Sequence, residues 1–255
     1  LKILAFSDIH GNLGALRALK GNISEDYDLM IIPGDLTNAF FASSFNAMVK
    51  QFKAVLSSLE SFGIKYLFTL GNRDYPLFGD ESLPEQEAKD RNRALMEILQ
   101  SLSNGFMLEM APSVDIGGLK VTSRKDLASG AVYMTHYDKG VASDALIHVE
   151  GHTHAGQRNG NYLNLAFLYR DGTHGSSPLL GCYWTLEISN GRVEIRWHNL
   201  GGKMKEFECP VHAAEGKFYV PFYFRKCPVC YNKESAKFSS VGTGTGFRPG
   251  SASRG

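Results

Sequence analysis

Five short segments of the chain carry the side chains that bind cations: Asp8-Ile9-His10-Gly11-Asn12, Gly34-Asp35-Leu36, Gly71-Asn72-Arg73-Asp74, Thr135-His136-Tyr137 and Gly151-His152-Thr153-His154. Carboxylate oxygen, amide oxygen and neutral imidazole are ligands for hard or borderline divalent ions. Two such ions about 4 Å apart clamp the attacking and leaving oxygens of a phosphoryl displacement. Hydrolysis of a phosphate ester is the chemistry these residue types could carry out together.

A second set of ligands stands near the end, in Cys209-Pro210-Val211-His212 and Cys227-Pro228-Val229-Cys230, two C-P-V-(H/C) knuckles separated by 14 residues. Three thiolates and one imidazole form the tetrahedral set that closes around structural zinc. Two disulfides or a redox pair are the competing readings. Cys182, inside the apolar run Leu179-Leu180-Gly181-Cys182-Tyr183-Trp184, reads as a small core hydrophobe, which leaves three cysteines and spoils a two-bridge scheme. Lys217 to Phe224 is expected to supply the hairpin arms of a zinc ribbon.

Converging the first set requires elements that end together. Leu1–Phe6, Leu29–Ile32, Tyr66–Leu70, Ala131–Met134 and Leu146–Val149 are short runs rich in apolar, β-branched or aromatic residues, as buried strands are, and each ends at a ligand segment. Loops beyond the carboxyl ends of strands in α/β sheets meet in one crevice. Phe45, Met48, Val49, Phe52, Val55, Leu56, Leu59 and Phe62 recur at helical spacing and predict a helix with one face on a core. A further helix is expected from about Pro84 to Leu102, and one from Leu13 to Lys20 that Asn12 caps unless it contacts substrate. Alternating residues on either side of Asn190-Gly191 predict a hairpin, placed at the antiparallel end of a second sheet. His148, on an apolar run, reads as a core histidine, and His174 and His198 have less claim still to a metal.

At its five ligand segments the chain resembles the calcineurin-like metallophosphoesterase superfamily, whose signature runs D-x-H, G-D, G-N-H-D/E, a lone His, then G-H-x-H. The resemblance covers roughly residues 1 to 200 with the blocks in order, and it is most similar to the small prokaryotic and archaeal phosphoesterases. It implies an α/β fold, a four-layer αββα sandwich of two mixed sheets with helices outside. It implies that Asp8, His10, Asp35 and His154 hold one metal, and that Asp35 bridges to a second held by Asn72, His136 and His152. Mn, Fe, Co, Ni and Zn all suit such mixed N/O ligation. The implied nucleophile is a hydroxide bridging the two metals, with no covalent enzyme intermediate.

Arg73 departs from the signature, where many members place a His that helps protonate the leaving group. A guanidinium keeps its proton at any accessible pH and cannot be a general acid, although it can grip a phosphate oxygen with two N–H groups. Arg73 is therefore expected to bind substrate and steady transition-state charge, and Asp74 to orient Arg73 or another group behind the ligands. A salt bridge between Arg73 and a carboxylate is the plainer alternative.

Composition constrains the rest. A chain of 255 residues can bury a substantial core, and 27 Lys and Arg against 26 Asp and Glu give +1, with no global drive toward nucleic acid or anionic membrane. No run is long enough to span a bilayer, and few cysteines favour a reducing cytoplasm. The expected division is a catalytic domain over 1–202, a zinc ribbon over 203–232 and a flexible tail over 233–255 poor in apolar residues. Three functions follow: a hydrolase of phosphodiesters, with monoesters second; a nuclease whose ribbon and Arg-containing tail hold a strand; and a non-catalytic scaffold, similar to the retromer subunit of this fold that has lost the catalytic His. Assembly with further copies is open.

Overall fold

The computed structural model describes residues 1–78, 84–138, 140–172 and 177–231. The tail expected over 233–255 and His174 lie outside these.

The chain first builds parallel strands β1 (Lys2–Ala5), β2 (Leu29–Pro33), β3 (Tyr66–Thr69) and β4 (Gly105–Met107). Helices α1 (Leu13–Asn22), α2 (Phe45–Glu60), α3 (Tyr75–Phe78) and α4 (Glu85–Gln100) lie between them. It then lays down β5 (Val114–Ile116), β6 (Leu119–Thr122), β7 (Val132–Met134), β8 (Ile147–Glu150), β9 (Gly156–Asn159) and β10 (Tyr162–Asn164) in a second sheet. A small ladder of β11 (Tyr169–Arg170) and β12 (Leu179–Leu180) leads to β13 (Cys182–Ser189), β14 (Arg192–Asn199), β15 (Met204–Glu208) and β16 (Lys217–Pro221). The first sheet runs β14-β13-β1-β2-β3-β4 and the second β15-β16-β9-β10-β8-β7-β6-β5, both mixed.

Strict alternation along the first strands makes the layers. Ile3, Ala5, Leu29, Ile31 and Leu67 point to the second sheet and pack with Val132, Met134, Ile147 and Val149. Leu4, Phe6, Met30, Ile32 and Phe68 point the other way, to Leu16 and Leu19 of α1, Phe52, Val55, Leu56 and Leu59 of α2 and Leu95 of α4. Strands buried on both faces read as unbroken apolar runs, which is why they were legible. Among the described residues, helices α1 to α4 all pack on the first sheet. Ala128, Ala142 and Ala145, from the segments flanking β7, pack with Tyr133 in a separate small cluster.

Two expectations are corrected. The Asn190-Gly191 hairpin exists, with φ of 49° and 70° at the turn, but its strands extend the first sheet, where β13 pairs antiparallel with β1. That register brings Trp184 and Leu186 into the core between the sheets. Lys217 to Phe224 supplies one hairpin arm, not two: β16 pairs with β15, which precedes the first knuckle, and with β9, so the hairpin is continuous with the second sheet.

Candidate active site

Each ligand segment follows a strand, and the two sheets bring the strand ends together. The backbone there is unusual. Non-glycine residues with positive φ are Asp8, His10, Asp35, His152, His154, Ala166 and Asn190 among the described residues, and the first five are expected metal ligands. A left-handed conformation is costly for such residues and persists where surrounding contacts impose it, typically at functional sites. Here the chain turns so sharply after each strand that the side chains face one another.

Two groups of atoms result. In the first, His154 Nε2 lies 3.2 Å and His10 Nε2 3.7 Å from Asp8 Oδ1, and the two imidazole nitrogens are 3.0 Å apart. In the second, Asn72 Oδ1 is 3.0 Å from both His136 Nε2 and His152 Nδ1, those nitrogens are 3.2 Å apart, and Asp35 Oδ1 is 3.4 Å from His136 Nε2. Ligand atoms of Asp8, Asp35 and His136 all lie within 4.8 Å of one another, so the carboxylates join the groups. The seven residues named from sequence are brought to one place.

These residues fit divalent cations. Asp8 Oδ1 is fully buried with the imidazole nitrogens of His154 and His10 at 3.2 and 3.7 Å, an expensive place for a carboxylate charge unless a cation meets it. Burial opposes charge on Asp8, but the imidazoles of His154, His136 and His10 outweigh it and hold the carboxyl well below its usual range. Burial would likewise lower His136, yet the Asp35 and Asp8 carboxylates push it up to about 9. A proton on His136 thus supplies the positive charge the carboxylates demand, and a metal would displace it. Burial lowers His10 and His152, leaving neutral imidazoles with lone pairs to donate. The tautomer of His136 is set from behind, where its Nδ1 faces the Pro33 carbonyl at 2.8 Å.

Glycines allow this packing. A Cβ on Gly71 would stand 2.1 Å from Asp35 Oδ1 and 2.2 Å from Asp35 N, although its φ is not positive, so close approach rather than turn geometry explains this glycine. We expect Gly71→Ala to push the Asp35 loop aside and weaken metal binding by about tenfold or more, a loss of about 1.4 kcal/mol. Titrating metal-stripped protein with Mn²⁺ checks it, and unchanged affinity would mean that the loop yields freely.

Asp74 is fully buried and accepts hydrogen bonds from Thr37 N and Oγ1 at 2.8 and 2.7 Å, Gly71 N at 3.0 Å and Leu36 N at 3.1 Å. Of the roles open to it, these contacts favour support of the ligand loops. Burial and the nearby Asp35 push its carboxyl up to about 6. Asn12 spends its Oδ1 on capping α1, accepting from Ala15 N at 2.8 Å. His148 is buried and accepts the Ala142 N–H, and His198 stacks on Tyr183; both sit among core or sheet residues, as expected.

Strand ends that gather Asp, His and Asn ligands in this order can be compared with known proteins. The calcineurin-like phosphoesterase family matches residues 1–156 of the chain. The chain belongs to the calcineurin-like phosphoesterase family. Such a protein is a hydrolase of phosphate esters. One solved structure is 14% identical over 78% of this chain and 98% of its own, with a TM-score of 0.53, and shows the fold. A protein of Thermus thermophilus, TT1561, is also 14% identical, over 78% of this chain and 98% of its own, with a TM-score of 0.45. A predicted phosphoesterase from Streptococcus pneumoniae is 15% identical over 78% of this chain and 89% of its own, with a TM-score of 0.39. No curated protein matches the chain.

The phosphoesterase site opens into a cavity of about 1080 Å³. Arg73 lines it, almost fully buried, with its Nη1 donating to Asn38 Oδ1 at 3.0 Å and its guanidinium 4.7 Å from the Phe41 ring centre. Its backbone N–H donates to Asp35 Oδ1 at 2.8 Å, tying the position of this arginine to a ligand. Arg170 also lines the cavity and was missed in the sequence, because it belongs to no ligand segment.

The second ligand set is also gathered. His212 Nδ1 lies 3.3, 3.4 and 3.6 Å from the sulfurs of Cys230, Cys227 and Cys209, and the Cys209 and Cys230 sulfurs are 3.8 Å apart. A tetrahedron with zinc bond lengths has S···S edges of about 3.8 Å and S···N edges of about 3.6 Å. A disulfide needs about 2.05 Å, so no bridge forms, and all four cysteines are free. Burial pushes the Cys182 thiol up to about 12, as suits a core residue. Among the described residues no helix is long and apolar enough to cross a membrane.

Proposed function

We propose that this chain hydrolyses phosphate esters at a two-metal centre, with diesters preferred to monoesters. The observation that carries the reading is the convergence of seven N and O ligands from five loops, five of them on left-handed backbone, around the fully buried Asp8 carboxylate. Asp8, His10 and His154 would hold one cation, Asn72, His136 and His152 the other, and Asp35 would bridge. Two cations so held supply an activated water and a clamp on the attacking and leaving oxygens. The chain's own residues do the rest. Arg73 reaches the cavity from a buried, supported position, so it can grip a non-bridging phosphate oxygen without first being ordered. Asp74 keeps the loops of Asp35 and Asn72 in register, and the Pro33 carbonyl fixes the ring of His136.

The diester is put slightly ahead because position 73 holds Arg, which cannot hand a proton to a departing alkoxide, where many members hold a His. We expect Arg73→His to raise turnover of esters with poor leaving groups relative to those with good ones, by about tenfold, below the full contribution of a well-placed general acid. An unchanged ratio would mean that protonation at this position does not limit the reaction. The reading as a whole is tested by stripping the protein of metal and reloading it with Mn²⁺, Co²⁺, Ni²⁺ or Zn²⁺. Hydrolysis of a chromogenic diester, and more slowly of the matching monoester, is expected with at least one. Silence from folded protein with every metal would sink it.

The Cys209, His212, Cys227 and Cys230 cluster is proposed to hold one structural zinc, on the match of its four ligand atoms to the zinc tetrahedron. The units are then a catalytic body over 1–202 and a zinc-held segment over 203–232 that is sutured to the second sheet by β16. Free thiols fit a reducing cytoplasm.

A further inference from the structure

The zinc-held segment and the metal-ligand loops share one cavity. Phe40 and Phe41 from the loop after β2, Tyr137 after β7, and Tyr223, Phe224 and Tyr231 from the C-terminal segment line it together with Asp35, Asn72 and His152. Phe40 is 65% exposed, Phe41 and Tyr137 55% and Tyr223 49%. Other exposed rings, Tyr75, Phe106 and Phe222, do not line the cavity, whereas these gather around it beside a charged centre, which marks a surface kept for a ligand. The kind of ring matters. Among the described lining residues there is no Leu, Ile, Val or Met; the large apolar side chains are all aromatic. A wall for an acyl or alkyl group would use aliphatic residues, whereas rings suit a planar partner.

Two of the rings are also held in place. Arg170 donates from Nη2 to the Tyr223 hydroxyl at 2.5 Å and lies 5.5 Å from the Phe167 ring centre, and Phe167 packs edge-on against the ligand His154 at 5.7 Å. Arg73 packs on Phe41 in the same way. Each of the two guanidiniums therefore packs against a ring of the wall, a pairing that accepts a flat aromatic group and an anion at once. The volume lies at the upper end of that for a single small-molecule ligand, which is room for a nucleotide.

We propose that the cavity is a nucleotide subsite: the phosphate of a nucleotide-type ester sits at the metal ligands, and its base stacks on the rings, Phe40 and Tyr223 foremost. The wall from the zinc-held segment thus selects the ester. This rests on the phosphoesterase reading for the place of the phosphate, and three of its rings lie outside the region matched by the family.

The test is calorimetric binding to Mn²⁺-loaded protein of two non-hydrolysable methylenephosphonates, the isosteres of adenosine monophosphate and of ribose 5-phosphate, which differ only by the base. The adenosine compound should bind at least about tenfold more tightly, since one stacked base contributes roughly 5- to 150-fold. Phe40→Ala and Tyr223→Ala should each cut that advantage about fivefold or more and leave the ribose compound unaffected, with Tyr223→Phe retaining it. Equal affinity for the two compounds, or variants that weaken both alike, overturns the proposal. A base-dependent gap in protein that hydrolyses no ester would defeat the phosphoesterase reading and leave the subsite standing; turnover without a gap would do the reverse.

Discussion

Asp35→Asn is expected to lower kcat for a chromogenic phosphodiester by at least about 10³-fold with every metal, while the protein stays folded. A thousandfold is about 4 kcal/mol of lost transition-state stabilisation, within the several kcal/mol that a positioned cation supplies. The reason is local. Asp35 Oδ1 stands 3.4 Å from His136 Nε2 and accepts the Arg73 N–H at 2.8 Å, so one carboxylate contacts a ligand of the second group and the backbone of the arginine expected to hold substrate. An amide keeps the oxygen and the N–H bond but removes the negative charge and one of two metal-binding oxygens. Folding is expected to survive, because Asp35 already repels the buried Asp74, whose carboxyl it helps to push up to about 6. Kinetics, metal content and circular dichroism on the same preparation check the prediction. Activity within tenfold of the parent, at full metal loading, would show that Asp35 is not the bridge.

The ligands were legible because their order along the chain matches the order of strand ends, and because strands buried on both faces announce themselves as unbroken apolar runs. Asp8 and His154 could thus be paired from opposite ends of the catalytic region. Sheet membership was less legible. β13 alternates no differently from a strand of the second sheet, and only its register against β1, with Lys2 opposite Glu187 and Ala5 opposite Trp184, assigns it to the first. Asp74 read as a chemical group because it adjoins Arg73, but direction decides its contacts, and its carboxylate faces the turn at Leu36 and Thr37. Arg170 and Tyr223 carry no pattern in the sequence. Their neighbourhood arises from two distant segments meeting, and no periodicity encodes that.

Cys227→Ser should release the structural metal and lower the thermal midpoint by about 10 °C, the shift that about 3–5 kcal/mol produces in a domain of this size. Cys227 and Cys209 are buried beside Phe218 and Val220 in a cluster with few other members. So small a core gives the segment little apolar burial of its own, and a metal held by the four ligands would carry much of that free energy. A serine hydroxyl does not ionise at neutral pH and is a poor substitute for a thiolate. The loss should concentrate where the segment joins the body: β16 pairs with β9 through Phe218 opposite Gln157 and Tyr219 opposite Gly156, and Tyr219 reaches the core between the sheets. Hydrogen exchange should therefore show β15 and β16 opening while β1, β2 and β3 keep their protection. Cys182→Ser is the contrast, since it places a hydroxyl in a buried site but touches no ligand, and it should retain the zinc. Zinc released by a mercurial reagent separates the two variants. If Cys227→Ser keeps both its zinc and its midpoint, the four residues do not form a closed site. If the zinc leaves and β16 stays protected, the sheet rather than the metal holds the segment, and the aromatic wall of the active-site cavity does not depend on it.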